Sequence, residues 1–264
     1  MDFFFYFFGF FFGASIGSFY LTLAERILFF FYSKERKNFS FFGKVRCIVF
    51  KRSACNNCKK EISAFGLIPV FGYCFAKGKC SDCKTEIPIR YPLVEILFGT
   101  SFILFYYTTA TLLFCIFVIF LFGHLTISLV TDWKYFSLDY ENIPFILGFG
   151  IASNYFLEGR FFNLNDIFVF FGFLSFYFCL YFIYKKGIGL GDVFFAPVFA
   201  FLSSHPWWML FLNSSYVSAI VFTFLFREKR VSLKKTPIPM GAYFSIGHII
   251  TYFARSVFLK MQNI

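Results

Sequence analysis

Two kinds of side chain in this sequence are placed for chemistry: carboxylates beside apolar runs, and cysteines in pairs. Asp192 stands in KKGIGLGDVFFAPVFAFL, residues 185 to 202, between a glycine-rich turn and an apolar stretch. An ionised carboxylate at membrane depth costs roughly 2.5 to 3.5 kcal/mol on insertion scales, which makes Asp192 a functional candidate. The position also suits a helix cap, where an aspartate accepts hydrogen bonds from the free amides of a first turn. A second carboxylate, Asp132, lies in TDWKYFSLDYENIP, residues 131 to 144, at the end of another apolar run. Two carboxyls brought close together cannot both ionise; one keeps its proton while its neighbour is charged, as general acid–base chemistry requires. Sixty residues apart, the two can meet across adjacent helices near the inner membrane interface, where water enters. Asp139 and Glu141 follow in the connecting loop and read as solvated surface charge.

The cysteines point to a metal. CNNC, Cys55 to Cys58, and CSDC, Cys80 to Cys83, are two CxxC pairs separated by 21 residues, a layout that lets four thiolates surround one tetrahedral zinc ion. Four thiolates leave no open coordination position, so the role is structural. Disulfides are the alternative, disfavoured if this stretch faces a reducing cytosol. Cys47, Cys74, Cys115 and Cys179 lack such partners and read as small buried apolar residues, with Cys74 also a possible substitute ligand. His124, His205 and His248 are scattered and form no metalloprotease motif. GASIG, residues 13 to 17, matches a serine-hydrolase elbow in letters only, because Ser15 falls inside a continuous apolar run with no strand before it.

These residues must be positioned by membrane helices. The 264-residue chain is 59% hydrophobic and 15% charged, with mean hydropathy +0.69, outside the profile of a water-soluble domain. Apolar runs occur at about 3–24, 92–108, 111–130, 143–157, 166–184, 192–204, 207–226 and 238–254, which predicts an all-α polytopic membrane protein of about eight transmembrane helices. The 50 phenylalanines show no fixed spacing and read as lipid-facing filler. The net charge of +11 suggests a nucleic-acid binder until its distribution is considered. Thirteen of the 25 Lys and Arg lie in residues 32–91, five in REKRVSLKK (227–235), and Lys185 and Lys186 precede the Asp192 turn. With the N-terminus outside, all three places fall on one side, the cytoplasmic side by the positive-inside rule. Arg255 and Lys260 then fall on the other side, against that rule. The N-terminus has Asp2 before its apolar run and no basic residue until Arg26, which suits a retained first helix. Gly9, Gly13 and Gly17 place three bare positions on one face of it, a close-packing signal. The expected organisation is a first transmembrane helix (1–31), a cytosolic basic zinc-ribbon-like insertion (32–91) and a transmembrane bundle carrying both aspartates (92–264).

The order of motifs resembles one family. GSFYLTLAER (17–26), the two CxxC pairs, RYPLVE (90–95), TDWKY with Asp132, GLGD (189–192) and IPMGAYFSIG (238–247) are similar to the bacterial type IV prepilin peptidases, also called leader peptidase and N-methyltransferase. The resemblance implies a polytopic inner-membrane aspartic protease with Asp132 and Asp192 as its catalytic pair. It implies prepilins or type II secretion pseudopilins as substrates, cleaved on the cytosolic side, and S-adenosylmethionine as methyl donor with no binding residues assigned. Gly189 and Gly191 are expected to let the backbone turn and an extended substrate approach. The sequence departs from the family pattern at Leu21, where Asn is usual, at Phe194, where Lys is usual, and at Ser137, Leu138 and Asp139, where Ile-Pro is usual. Arg26 reads as a snorkelling anchor, and Glu95 as a partner of Arg90 or a participant in methyl transfer. Two other readings stand beside the peptidase. One is a non-enzymatic assembly factor with both aspartates as caps; the other is an ion-coupled transporter, for which no internal repeat is evident.

Overall fold

The computed structural model describes residues 2–32, 43, 46–184, 187–226 and 237–262. The basic segment REKRVSLKK and the pair Lys185 and Lys186 lie outside the described residues. Eight long helices appear among those described, one for each apolar run. They are α1 (Asp2–Tyr32), α3 (Arg90–Thr109), α4 (Leu112–Tyr135), α5 (Ile143–Glu158), α6 (Leu164–Ile183), α7 (Leu190–Ser203), α8 (Trp208–Phe226) and α9 (Met240–Gln262), with a short α2 (Phe71–Phe75) between α1 and α3. Five of them, α1, α3, α4, α6 and α8, are long and apolar enough to cross a membrane, and the protein is a multi-pass membrane protein. The other three differ for visible reasons. At 14 and 16 residues, α7 and α5 are short, and α9 carries Ser245, His248, Thr251 and Arg255, all buried.

The chain divides into two compact units, residues 1–104 and 105–264. In the first, the glycine stripe of α1 packs on α3. A methyl group on Gly13 would meet the Phe98 carbonyl oxygen at 2.6 Å, and one on Gly9 would meet the Phe102 ring at 2.5 Å, so neither position tolerates a side chain without separating the helices. Ser15 lies inside continuous α1, not on a strand-to-helix turn.

In the second unit, α9 is the central helix, packed against α4, α7 and α8. Phe195, Phe199, Phe211 and Phe244 are fully buried around it, with Phe211 lying between the Phe199 and Phe244 rings. The outer helices behave oppositely: only 11% of the α6 span and 17% of the α8 span is buried, so their phenylalanines face outward as lipid-contacting surface. Arg255 and Lys260, which contradicted the charge rule, are both engaged by the fold. The Arg255 guanidinium is buried against Glu158 at 2.6 Å and donates to Asn154 Oδ1 at 2.9 Å. Lys260 Nζ lies over the Tyr107 ring and donates to the Tyr107 carbonyl. Arg255, buried and ion-paired, is therefore not an exposed topology signal.

Candidate functional site

α4 ends where Phe136 adopts a left-handed conformation (φ 50°) and donates its N–H to the Asp132 carbonyl. Asp132 therefore sits in the last turn of α4, and it is buried. Its Oδ2 accepts the N–H of Ala242 at 2.9 Å, and the Gly241 N–H also faces it. Both amides belong to the first turn of α9, which starts just after Pro239 and has amides with no partner inside the helix. A carboxylate from α4 thus caps a helix that begins more than a hundred residues later.

Asp192 is placed by a different helix start. Gly189, the residue before α7, has no side-chain oxygen to cap it. Asp192 is the third helical residue; its N–H reaches the Gly189 carbonyl at 3.1 Å, and the Gly189 amide lies beside its carboxylate. The cap reading is met in modified form, since Asp192 reaches back from the third position instead of occupying the cap itself. It is half-buried, and it lies within range of the charge on Asp132 and of Tyr140.

Leu138 fills the gap between these two helix starts. Its Cδ1 lies 3.1 Å from where a side chain would begin on Gly191 and 2.6 Å from the same point on Gly241. The loop that carries Leu138 is pinned by Asn142, whose Oδ1 accepts from His124 Nδ1 at 2.6 Å and whose Nδ2 donates to the His124 carbonyl at 2.8 Å and to the Ser128 hydroxyl at 3.0 Å. Asp139 is not simply solvated: its carboxylate accepts the Glu141 N–H at 3.1 Å, and burial raises its pKa above the usual carboxylate range. Phe194 packs its ring against Tyr140. Sequence reasoning missed Gly241, Ala242, Leu138 and Asn142; the one available signal was the proline-then-glycine start of α9 in IPMG.

The four paired cysteines converge. All four sulfurs lie within 4.8 Å of one another, with Cys55 Sγ 3.6 Å from Cys83 Sγ and Cys58 Sγ 3.9 Å from Cys80 Sγ. A tetrahedron of thiolates at the usual Zn–S distance has edges of about 3.8 Å. The two pairs are built alike. Cys55 and Cys80 each take the N–H of the residue four places on, Lys59 or Lys84, on their carbonyl and donate to the carbonyl five places on. Lys59 and Lys84 both have positive φ. Isolated bridges, Ala54 with Glu61 and Lys79 with Glu86, close both turns, so the knuckles of a zinc ribbon are present, with no strand among the described residues. The Thr85 hydroxyl and amide hold the Cys83 thiol down to about 5 and the Cys58 and Asn57 amides lower Cys55, while burial and the three neighbouring sulfurs push Cys58 up to about 11. Donors aimed at sulfur are what a thiolate–metal set needs. No other grouping of metal-ligating side chains occurs among the described residues, and the three histidines stay apart.

Two expectations about the motif around Arg90 need correction. Arg90 pairs with Glu25 at 2.7 Å, not with Glu95; Glu95 instead accepts the Val70 N–H at 2.7 Å. One helical turn separates Arg90 from Glu95, but Glu25 on the facing helix is nearer. Arg26 does not simply snorkel, since it donates to the Ile48 carbonyl at 2.9 Å.

Residues 11–109 match the family profile described as "Bacterial Peptidase A24 N-terminal domain", and residues 119–224, which include both aspartates, match that of the "Type IV leader peptidase family". A "Prepilin leader peptidase/N-methyltransferase" of Pseudomonas aeruginosa is 32% identical over 224 residues, 76% of this chain and 70% of that protein. Proteins of the same name from Stutzerimonas stutzeri and Pectobacterium carotovorum are 29% and 27% identical, covering 74% and 75% of this chain and 69% and 72% of their own length. No solved structure matches. With both halves of the chain matched in order and the relatives aligned through most of their length, this protein belongs to the type IV leader peptidase family.

Proposed function

We propose that the chain is an aspartic endopeptidase that removes the leader peptide of type IV prepilins or related pseudopilins at the cytosolic face of the inner membrane, with Asp132 and Asp192 as the catalytic pair. The observation that carries this reading is that two carboxyls from separate helices come to one end of the bundle, with Asp192 within range of the charge on Asp132. One carboxylate takes a proton from a water molecule, which attacks the scissile carbonyl. The other, protonated, polarises that carbonyl and then gives its proton to the departing amine as the C–N bond breaks. Neither member is assigned a fixed role. The amides of Gly241 and Ala242 hold the Asp132 carboxylate in one orientation; the bare backbone at Gly189 leaves room for an extended peptide beside Asp192, while the face of Gly191 is taken by Leu138. In the sequence, Lys185 and Lys186 stand between α6 and α7 and REKRVSLKK between α8 and α9; by the positive-inside rule these helix ends face the cytoplasm.

The four cysteines hold zinc in this reading, as a staple for a unit too small to bury a large core of its own. The relatives' name joins N-methyltransferase to leader peptidase. Methylation of the new N-terminus, with S-adenosylmethionine as donor, is part of the proposal, and no residue of this chain is assigned to that donor.

The test is co-expression with a prepilin, followed by N-terminal mass analysis. Asp132→Asn and Asp192→Asn are each expected to abolish leader removal while the protein stays inserted, because an amide oxygen still accepts the Ala242 N–H. Normal processing by either variant overturns the assignment. A pilus that still assembles with both variants, and with its leader uncleaved, favours the assembly-factor reading instead.

A further inference from the structure

The stretch between the two cysteine pairs does not read as a water-facing linker. Residues 62–76 are fifteen consecutive residues without a charge, bounded by Lys59, Lys60 and Glu61 on one side and by Lys77 and Lys79 on the other. Phe65 is 80% exposed and Phe75 76% exposed, with Leu67 and Phe71 also outward. Single exposed apolar residues mean little, but a contiguous patch marks a surface that something covers.

The neighbouring contact identifies the cover. The Phe71 ring stacks on Phe11 at 5.9 Å, and Phe11 lies inside the α1 membrane span Phe3–Phe31. The polar end of that span is marked by Glu25, ion-paired with Arg90. At 1.5 Å per residue, Phe11 is about 21 Å along the axis from Glu25, and Glu95, which holds the neighbouring Val70, is about 8 Å from Arg90, both within a hydrocarbon thickness of ~30 Å. Backbone in that zone must satisfy its own polar groups. From Leu67 onward it does so: the amides of Leu67, Ile68, Phe71, Gly72, Cys74 and Ala76 all donate to carbonyls within the segment. Val70 has positive φ and lies outside any helix; its N–H is taken by the buried carboxylate of Glu95.

We propose that residues 62–76 form a re-entrant apolar segment immersed in the bilayer, with phospholipid acyl chains covering Phe65, Leu67 and Phe75. The lysines at its two ends then sit at the headgroups, and Glu95 is the intramembrane anchor that satisfies the Val70 amide.

The experiment uses the full chain in nanodiscs made with brominated-acyl or ordinary phosphatidylcholine, with a fluorescent coumarin amino acid replacing Phe75 or, separately, Phe65. Fluorescence at both positions is expected to fall in brominated lipid by the same factor as at Phe4 on the lipid-facing side of α1, and to be unchanged at Asn56 in the first knuckle. Quenching at Phe65 and Phe75 no greater than at Asn56 overturns the proposal. Cys74 provides a readout that needs no substitution. In sealed vesicles it should resist a water-soluble maleimide added to both faces and react once the vesicles are dissolved in denaturing detergent; rapid modification in intact vesicles overturns the proposal. A photo-cross-linker at Phe75, with a prepilin co-expressed, should yield a phospholipid adduct. An adduct with the pilin in its place shows that the patch is a substrate dock and also overturns it.

Discussion

Adding one methyl group at Gly241 tests whether the start of α9 orients Asp132. That methyl would meet Leu138 Cδ1 and Cδ2 at 2.6 Å, well short of the 3.4 Å at which ordinary contact begins. If the helix start yields and Leu138 stays, α9 must withdraw by about 0.8 Å, which stretches the 2.9 Å bond from Ala242 to Asp132 to about 3.7 Å, beyond hydrogen-bonding range. A hydrogen bond to a charged group contributes about 1.5–3 kcal/mol. At 1.36 kcal/mol per decade, Gly241→Ala should slow single-turnover cleavage of a prepilin in proteoliposomes by about 10- to 150-fold. The internal control is Leu138→Ala, which removes every atom the methyl would strike. In that background the further change Gly241→Ala should have almost no effect on rate, although Leu138→Ala itself destabilises the fold by about 2–5 kcal/mol. Melting temperatures measured alongside separate lost stability from lost alignment. A Gly241→Ala enzyme as fast as its parent, or one slowed equally in both backgrounds, refutes the reasoning.

Purified protein should contain one zinc per chain by elemental analysis, with Cys55→Ser or Cys80→Ser losing the metal and exposing residues 46–89 to protease. Arg255→Leu should lower stability by about 3 kcal/mol, the lower end of the range for breaking a buried ion pair, because Arg160 still holds Glu158 at 2.7 Å. Replacing Glu158 by Leu as well should recover most of that loss in a denaturant titration. Burial raises the Asp139 pKa, so the folded state binds a proton more tightly than the unfolded chain does, and the contribution of this group falls as pH climbs through the folded value. Asp139→Asn, whose amide oxygen still accepts the Glu141 N–H, should therefore raise the melting temperature at pH 7.5 and lose that gain near pH 4.

The sequence was most legible where the physics is local. Apolar runs announce helices because each must span or nearly span hydrocarbon, and all eight became helices. The cysteine spacing was equally readable, because each CxxC pair forms its own tight turn before any partner is chosen. Counting runs also put Asp132 and Asp192 at the same end of the bundle; their catalytic roles rest on the Asp→Asn experiment. What stayed hidden depends on long-range placement. Nothing near Asp132 indicates that its carboxylate will meet the amides of Gly241 and Ala242. Leu138 looked like a departure from a familiar pattern, while its packing against two glycines on different helices is visible only in three dimensions. Arg255 misled the topology rule for the same reason, since a charge count cannot tell a buried cation from an exposed one. Arg90 was assigned the wrong carboxylate because Glu25 lies 65 positions away in sequence and on the facing helix.

The Arg255–Glu158 pair imposes an order on biosynthesis. Ninety-seven residues separate the two partners, so α5 leaves the ribosome and enters the membrane long before its cation has been made. Throughout that interval Glu158 has only the half-exposed Arg160 to neutralise it. The final helix therefore completes a buried network that the earlier ones leave to Arg160 alone.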